Sequence, residues 1–212
     1  GLGTSRLKGL GFGVGASYGQ EYTKAELVGT DGATPTGYRT AGQSVFFSYA
    51  NTGVTAHGDH YRIAPQVAFY CGHLGVLGEY VLSSQDVAKN SQTCRIGHQS
   101  WQVSGSYVVG GVPSLSAVVP KNAFDPTSGH WGALELVARW DVFLADSKAF
   151  KMGLVGDNTQ ARRVNNVGFG VNWFFAKGTK MQVDYDITDL RDMRNDWVAT
   201  ERYLSCRFQV SL

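Results

Sequence analysis

Two neighbouring runs decide how this chain folds: Val167-Gly168-Phe169-Gly170-Val171-Asn172-Trp173-Phe174-Phe175 and Met181-Gln182-Val183-Asp184-Tyr185-Asp186-Ile187, joined across Ala176-Lys177-Gly178. In the first, Val167, Phe169, Val171, Trp173 and Phe175 alternate with Gly168, Gly170 and Asn172; in the second, Met181, Val183, Tyr185 and Ile187 alternate with Gln182, Asp184 and Asp186. A period of two belongs to a strand with unlike faces. A tight Gly-containing turn between two such runs reads as a hairpin.

Outward from this hairpin the pattern repeats. Tyr61, Ile63, Pro65, Val67 and Phe69 alternate with Arg62, Ala64, Gln66 and Ala68; Leu134, Leu136, Ala138 and Trp140 with Glu135, Val137 and Arg139; and Leu204, Cys206, Phe208 and Val210 with Ser205, Arg207 and Gln209. The longest stretch without Asp, Glu, Lys or Arg, 96–120, is long enough for a membrane helix. Its interior, with Trp101, Val103, Tyr107 and Val109 set against Gln102, Ser104 and Ser106, again has the strand period. The reading gives about nine strands, at 8–19, 43–51, 59–71, 74–86, 98–109, 130–143, 163–176, 179–188 and 201–211. Most are near the ~9–11 residues that a tilted strand needs to cross a bilayer.

Turns 71–73 and 176–178 are tight, while 87–97, 144–162 and 189–200 are longer and polar, as in barrels with short turns on one side and long loops on the other. Loops 20–42 and 110–129 do not fit, since alternation puts them on the short-turn side. An odd count does not close a single-chain barrel, so the expectation is one barrel domain over 1–212, incomplete at its N-terminus. Alternation also describes a soluble β-sandwich. Two features favour the membrane: aromatics near strand ends (Tyr18, Tyr80, Trp101, Tyr107, Trp140, Trp173, Phe175), and ionisable residues in mid-strand on the wet face. In the first strand Gly11, Gly13 and Gly15 leave the wet face bare; this either receives an infolded loop or eases bending of the sheet.

Mean hydropathy of -0.16 leaves a barrel open, because half of each strand faces water. A net charge of +2 with scattered Lys and Arg gives no track for nucleic acid. Cys71, Cys94 and Cys206 have no metal-site or disulfide-framework spacing, and Cys206 falls on the lipid face as a small apolar residue. The five histidines lie in no nucleophile motif or metal-ligand spacing, so neither an enzyme nor a metal site is read here.

Several stretches resemble the phosphate-selective porin O and P family of Gram-negative outer membranes: Gly37-Tyr38-Arg39-Thr40-Ala41-Gly42-Gln43, Gly58-Asp59-His60-Tyr61-Arg62-Ile63-Ala64-Pro65-Gln66, Gly78-Glu79-Tyr80-Val81, Asn122-Ala123-Phe124-Asp125-Pro126 and Gly129-His130-Trp131-Gly132-Ala133-Leu134-Glu135. The resemblance runs from about residue 8 to the end and implies the C-terminal part of a sixteen-stranded, trimeric outer-membrane porin for small anions such as phosphate or polyphosphate. It also implies contact with outer-membrane lipid and lipopolysaccharide, and anion-concentrating Arg and Lys on infolded loops and along the lumen. The chain departs from the family in ending on Leu212 rather than an aromatic residue, and in its cysteines.

Phasing places Arg62, Arg139, Lys180 and Arg207 on the lumen face as candidate anion contacts, with Arg39 at a pore mouth. Glu79, Glu135, Asp184, Asp186 and Glu201 stand opposite, so pairing across strands is the competing role for each cation. Passive diffusion needs no cofactor. A barrel with a plugged lumen, anchoring a larger envelope assembly, is the alternative function.

Overall fold

The computed structural model describes residues 9–23, 35, 37–50, 53–90, 92–113, 118–156 and 161–211. In chain order its strands are β1 (Leu10–Tyr22), β2 (Tyr38–Arg39), β3 (Val45–Phe47), β4 (Val54–Cys71), β5 (Leu74–Lys89), β6 (Gln92–Val109), β7 (Ala133–Leu144), β8 (Arg163–Ala176), β9 (Thr179–Arg191) and β10 (Trp197–Val210). A short helix, α1 (Ser147–Lys151), follows β7 and is capped by the Asp146 side chain. Eight strands form one antiparallel sheet in the order β1-β4-β5-β6-β7-β8-β9-β10, while β2 and β3 pair only with each other. The sheet is all-β barrel wall that is not closed: β1 and β10 each have one partner.

The greasy set points outward and is uncovered. Phe12 is 79% exposed, Leu136 54% and Phe169 55%, whereas Asn166, Asn172, Asp186 and Thr188 on the opposite face are buried. A soluble sandwich has the reverse arrangement, with its apolar face against a core. On β8 the apolar band runs from Val167 to Phe175. At ~3.3 Å per residue that is ~26 Å of strand, or ~20 Å along the normal at a tilt of ~40°, close to the ~25 Å belt of an outer-membrane barrel. Its lower rim carries Phe124, Trp131, Trp173, Phe175 and Phe208 in one ring cluster, where the Trp173 indole N–H donates to the Trp131 carbonyl at 2.7 Å. Trp101 and Trp140 pack edge to face, with ring centroids 4.7 Å apart, at the upper rim, where Trp140 is level with Val167. Rings with a wet polar atom suit both rims.

Four expectations from the sequence need correction. Segment 43–51 is not a wall strand: β3 covers only Val45–Phe47, and Phe46 and Phe47 enter the inner core. The reason lies in adjacent Phe46 and Phe47, which no period of two can place on one face. The wall therefore has eight strands rather than nine, an even number. With that strand removed, the β1–β4 connection moves to the long-loop side, and 110–132 alone remains long on the short-turn side. Segments 87–97 and 189–200 are mostly strand, because β5 and β6 pair as far as Lys89 and Gln92, and β9 and β10 as far as Arg191 and Trp197.

No described residue of the β2–β3 hairpin covers the bare face of β1. There Gln66 of β4 lies over Gly13, within 2.7 Å of where a Cβ would stand, and Gly19 has nothing within 4 Å. Lys8, positions 24–34 and Leu212 lie outside the described residues. Pro65 interrupts β4 without breaking it, since it is paired to Val14 on one side while the β4–β5 register skips it. Cys71, Cys94 and Cys206 are all free thiols.

The core sits on the inner face at the long-loop end, where Phe46, Phe47 and Tyr49 meet Val54, Val87, Ile96, Val164 and Leu190 of the wall. Phe47 is fully buried. Removing its ring, as in Phe47→Ala, costs about 3–5 kcal/mol. Hydrogen exchange at amides 37–50 is expected to rise by orders of magnitude while β7–β9 keep their protection; unchanged exchange there contradicts this packing.

Candidate functional site

The inner face is shaped first by the hairpin. Its turn is closed by Thr40 N–H donating to the Ser44 carbonyl at 2.9 Å and Gln43 N–H to the Thr40 carbonyl at 3.0 Å, with Gln43 at φ 71°. The hairpin is stitched to the β7–β8 connection by Ala50 N–H to Leu154 O at 2.9 Å, Gly156 N–H to Ser48 O at 3.0 Å and Ala161 N–H to Phe46 O at 2.8 Å. Its tip crosses to the far strand, where Gly42 N–H donates to Glu201 Oε1 of β10 at 3.1 Å.

His98 of β6 anchors the other end. The Asp146 N–H donates to its Nδ1 at 3.2 Å, which leaves Nε2 as the protonated nitrogen of a neutral ring. That Nε2–H donates to the Tyr49 hydroxyl oxygen at 2.9 Å. Burial pushes the Tyr49 hydroxyl well above the ordinary tyrosine range, so it stays protonated and can itself donate. Phe47 packs edge-on against His98 at 4.8 Å, and Phe143 of β7 completes the stack 4.6 Å from Tyr38.

Below the hairpin the wall is mixed in sign. Arg139 of β7 lies between two carboxylates, 3.0 Å from Asp186 and 3.4 Å from Asp141. Asn166 ties them together by donating to Asp141 at 2.8 Å and Asp186 at 2.9 Å, while its own oxygen accepts from the Thr188 hydroxyl at 2.8 Å. The Glu79 carboxylate accepts from Gln102 at 2.7 Å and Glu135 accepts from Asn172 at 2.9 Å. Arg139 therefore plays the pairing role, and its charge is compensated locally.

The other candidate cations are placed differently. Arg207 donates to the Gln182 side-chain oxygen at 2.8 Å, and Lys180 stands 5.6 Å from the Phe174 ring. They are near neighbours at the short-turn end, because Arg207 faces Gln182 and Lys180 faces Gln209 in the β9–β10 ladder. Arg62 is exposed on β4, where its charge reaches the Tyr38 hydroxyl of the hairpin. Arg39 lies on the hairpin over the inner face, bonded to the Gln43 carbonyl at 2.9 Å. With Arg139 it lines a cavity of about 420 Å³ that also includes Thr40, Ser100 and Asn166. None of Arg39, Arg62, Lys180 and Arg207 forms an ion pair among the described residues.

Glycine sets the position of the acids. Asp184 and Asp186 of β9 face Gly170 and Gly168 of β8, and their Oδ1 atoms lie 2.4 and 2.5 Å from where a Cβ would be. The carboxylates thus lie down on the neighbouring strand instead of standing into the lumen. The hub at Asn166, the Gly42–Glu201 contact and the His98 anchor have no local sequence signature; only the broken period at Phe46-Phe47 marks the hairpin as something other than wall.

A model of the family described as phosphate-selective porin O and P matches residues 7–212. No curated protein matches the chain.

Two substitutions follow from this geometry. Arg139→Met leaves Asp141 and Asp186 without their cation and is expected to cost about 1–2 kcal/mol, allowing for water at the half-exposed guanidinium. Denaturant titration should show that loss, with Asp186→Asn restoring part of it. In Gly170→Ala the new methyl displaces the Asp184 carboxylate into the lumen. One unscreened negative charge ~8 Å from an ion is worth ~0.5 kcal/mol in water, against an anion and in favour of a cation, so the anion-to-cation permeability ratio should fall about five-fold. Gly170→Ala with Asp184→Asn should recover it, and failure of that rescue would reduce the glycine to a packing role.

Proposed function

This chain belongs to the phosphate-selective porin O and P family, channels of Gram-negative outer membranes, and on that premise we propose that it forms a water-filled pore for passive diffusion of small anions, phosphate or polyphosphate among them. The pore works without cofactor or energy input, in a homotrimer set in outer-membrane lipid and lipopolysaccharide. Strands beyond these eight pair the free edges of β1 and β10, since a lipid-facing backbone cannot leave its N–H and C=O groups unbonded.

The observation that carries this reading is the asymmetry of charge compensation on the inner face. Among the described residues Arg39, Arg62, Lys180 and Arg207 have no carboxylate partner, while Asp141 and Asp186 are held by Arg139 and Asn166. An anion arriving in the lumen meets guanidinium and ammonium donors that are free to replace part of its hydration. It is attracted at several weak sites rather than trapped at one, as conduction requires.

The hairpin supports a second reading. Because it reaches from His98 on β6 to Glu201 on β10, it covers part of the inner face and could serve a plugged barrel that anchors an envelope assembly.

Single-channel recording of the full polypeptide in a planar bilayer separates the two. Open steps with a reversal potential on the anion side of a KCl gradient, and block of the chloride current by phosphate, are expected. Arg62→Gln with Arg207→Gln should weaken both. Silence under all voltages would favour the plug, and cation preference would defeat the anion reading.

A further inference from the structure

On the outward face, above the apolar band, β8 and β9 end in Arg163 and Arg191, and β10 carries Arg202 at the upper edge of the band. Arg163 stands directly across from Arg191 in the β8–β9 ladder, and Trp197 of β10 is across from Arg191 on its other side. Arg194 is in the β9–β10 turn, and Arg202 of β10 faces Ile187, level with the upper edge of the band. Their direction is fixed by their neighbours: Val164 and Leu190 enter the inner core and Glu201 meets the hairpin tip, so Arg163, Arg191 and Arg202 point away from the lumen.

Like charges directly opposite each other destabilise an antiparallel pair, yet no carboxylate among the described residues pairs with these. Among the described residues none of Arg163, Arg191, Arg194 and Arg202 is ion-paired. Two of the nearby acids are engaged elsewhere: Asp189 accepts the Thr200 hydroxyl at 2.6 Å, and Asp192 accepts the backbone N–H groups of Arg194 and Asp196 at 2.8 and 2.9 Å. Arg163 gives one N–H to Asn165, and Arg191 gives one to the Asn195 carbonyl, which leaves most of each guanidinium fork unused. Arg95, outward at the same end of β6, shows the contrast, clamped by both oxygens of Asp86 at 2.8 Å.

Height selects the ligand. Arg163 is four residues above Val167 on β8, which is ~13 Å of strand or ~10 Å along the normal, placing it at the headgroup layer with Arg202 at the hydrocarbon edge. Trp197 is 64% exposed beside them, with its indole N–H on the Thr200 hydroxyl at 3.1 Å. A basic, fork-bearing patch with an amphipathic ring at that level matches a phosphate monoester carried on a lipid.

We propose that Arg163, Arg191, Arg194 and Arg202, with Trp197, hold the phosphate group of a lipid in the leaflet on the long-loop side. The bound phosphate removes the Arg163–Arg191 repulsion and seats the upper ends of β8–β10 in the membrane. This site rests on the outward face being lipid-facing and not on conduction through the lumen.

Native mass spectrometry of the full polypeptide in detergent tests it, with bis-phosphorylated lipid A, its dephosphorylated form and inorganic phosphate as probes. The phosphorylated lipid should be retained, the dephosphorylated one should not, and excess inorganic phosphate should fail to displace it. Arg163→Gln with Arg191→Gln should weaken retention about thirty-fold, whereas Arg95→Gln should leave it unchanged, and conductance should be unaffected in both. Should the paired variant not fold, Arg194→Gln with Arg202→Gln gives the same reading from positions outside the opposed pair. Equal retention of phosphorylated lipid by these variants, equal retention of the phosphate-free lipid, or displacement by inorganic phosphate each overturns the proposal. A closed channel that still binds the lipid would defeat the porin reading and leave this site standing.

Discussion

A backbone in hydrocarbon has no water to bond, so every N–H and C=O that faces lipid must find its partner within the sheet. The rest of this structure depends on that constraint. It requires neighbouring strands to pair along their whole membrane span, as the unbroken β6–β7 and β7–β8 registers do. Once strands are so paired, the period of two leaves no freedom: a one-residue slip would carry Asp184, Asp186 and Arg139 into lipid and Tyr185, Val183 and Ala138 into the lumen. Register is held because the two faces have opposite solvents.

The same constraint explains why the inner hairpin is built as it is. A segment lying over the inner face of one open sheet has no second sheet to pack on, so it must bring its own core and its own hydrogen bonds. The aromatic pair Phe46 and Phe47 supplies the first, and backbone bonds to Leu154, Ser48's partner Gly156, and Ala161 supply the second. His98 joins the two, because one neutral imidazole accepts from the Asp146 amide and donates to Tyr49. Protonating that ring would cost the Asp146 bond and strand a charge among Phe47, Phe143 and Tyr38. A small aromatic core is thus fixed in position by polar contacts at its edges.

Sequence periodicity was enough to find all eight wall strands and the face each residue takes, because alternation is a local signal that survives tertiary context. Cys206, Arg207 and Phe208 show this, each on the side that phasing assigns. Periodicity failed at 43–51, where the apolar run is real but its period is not two. It also cut β5 and β6 short, since Lys89, Gln92, Thr93 and Arg95 look like loop although they continue the ladder above the membrane. The Asp141–Arg139–Asp186–Asn166 cluster depends on cross-strand register between three strands, which no single segment encodes. Arg139 looks the same in sequence as Arg207, yet only the register tells that one is neutralised and the other is not.

Charge bookkeeping on the inner face therefore cannot be done by counting residues. Asp184 and Asp186 stand on the same side of β9 two residues apart, ~7 Å, where two full charges in water would repel by ~0.6 kcal/mol and at an effective dielectric of 20 by ~2.4 kcal/mol. Asp186 escapes most of that through Arg139 at 3.0 Å and Asn166 at 2.9 Å. Asp184 has neither, and what it has instead is Gly170, whose missing side chain lets the carboxylate lie against the wall. A cation and a glycine thus do equivalent work on adjacent acids, one by pairing and one by making room. The guanidinium of Arg207, across from Gln182 two residues before Asp184, has no such carboxylate partner among the described residues. For this wall, the sign of the lumen is set by how far each charge reaches from the sheet, and small residues on the neighbouring strand control that reach.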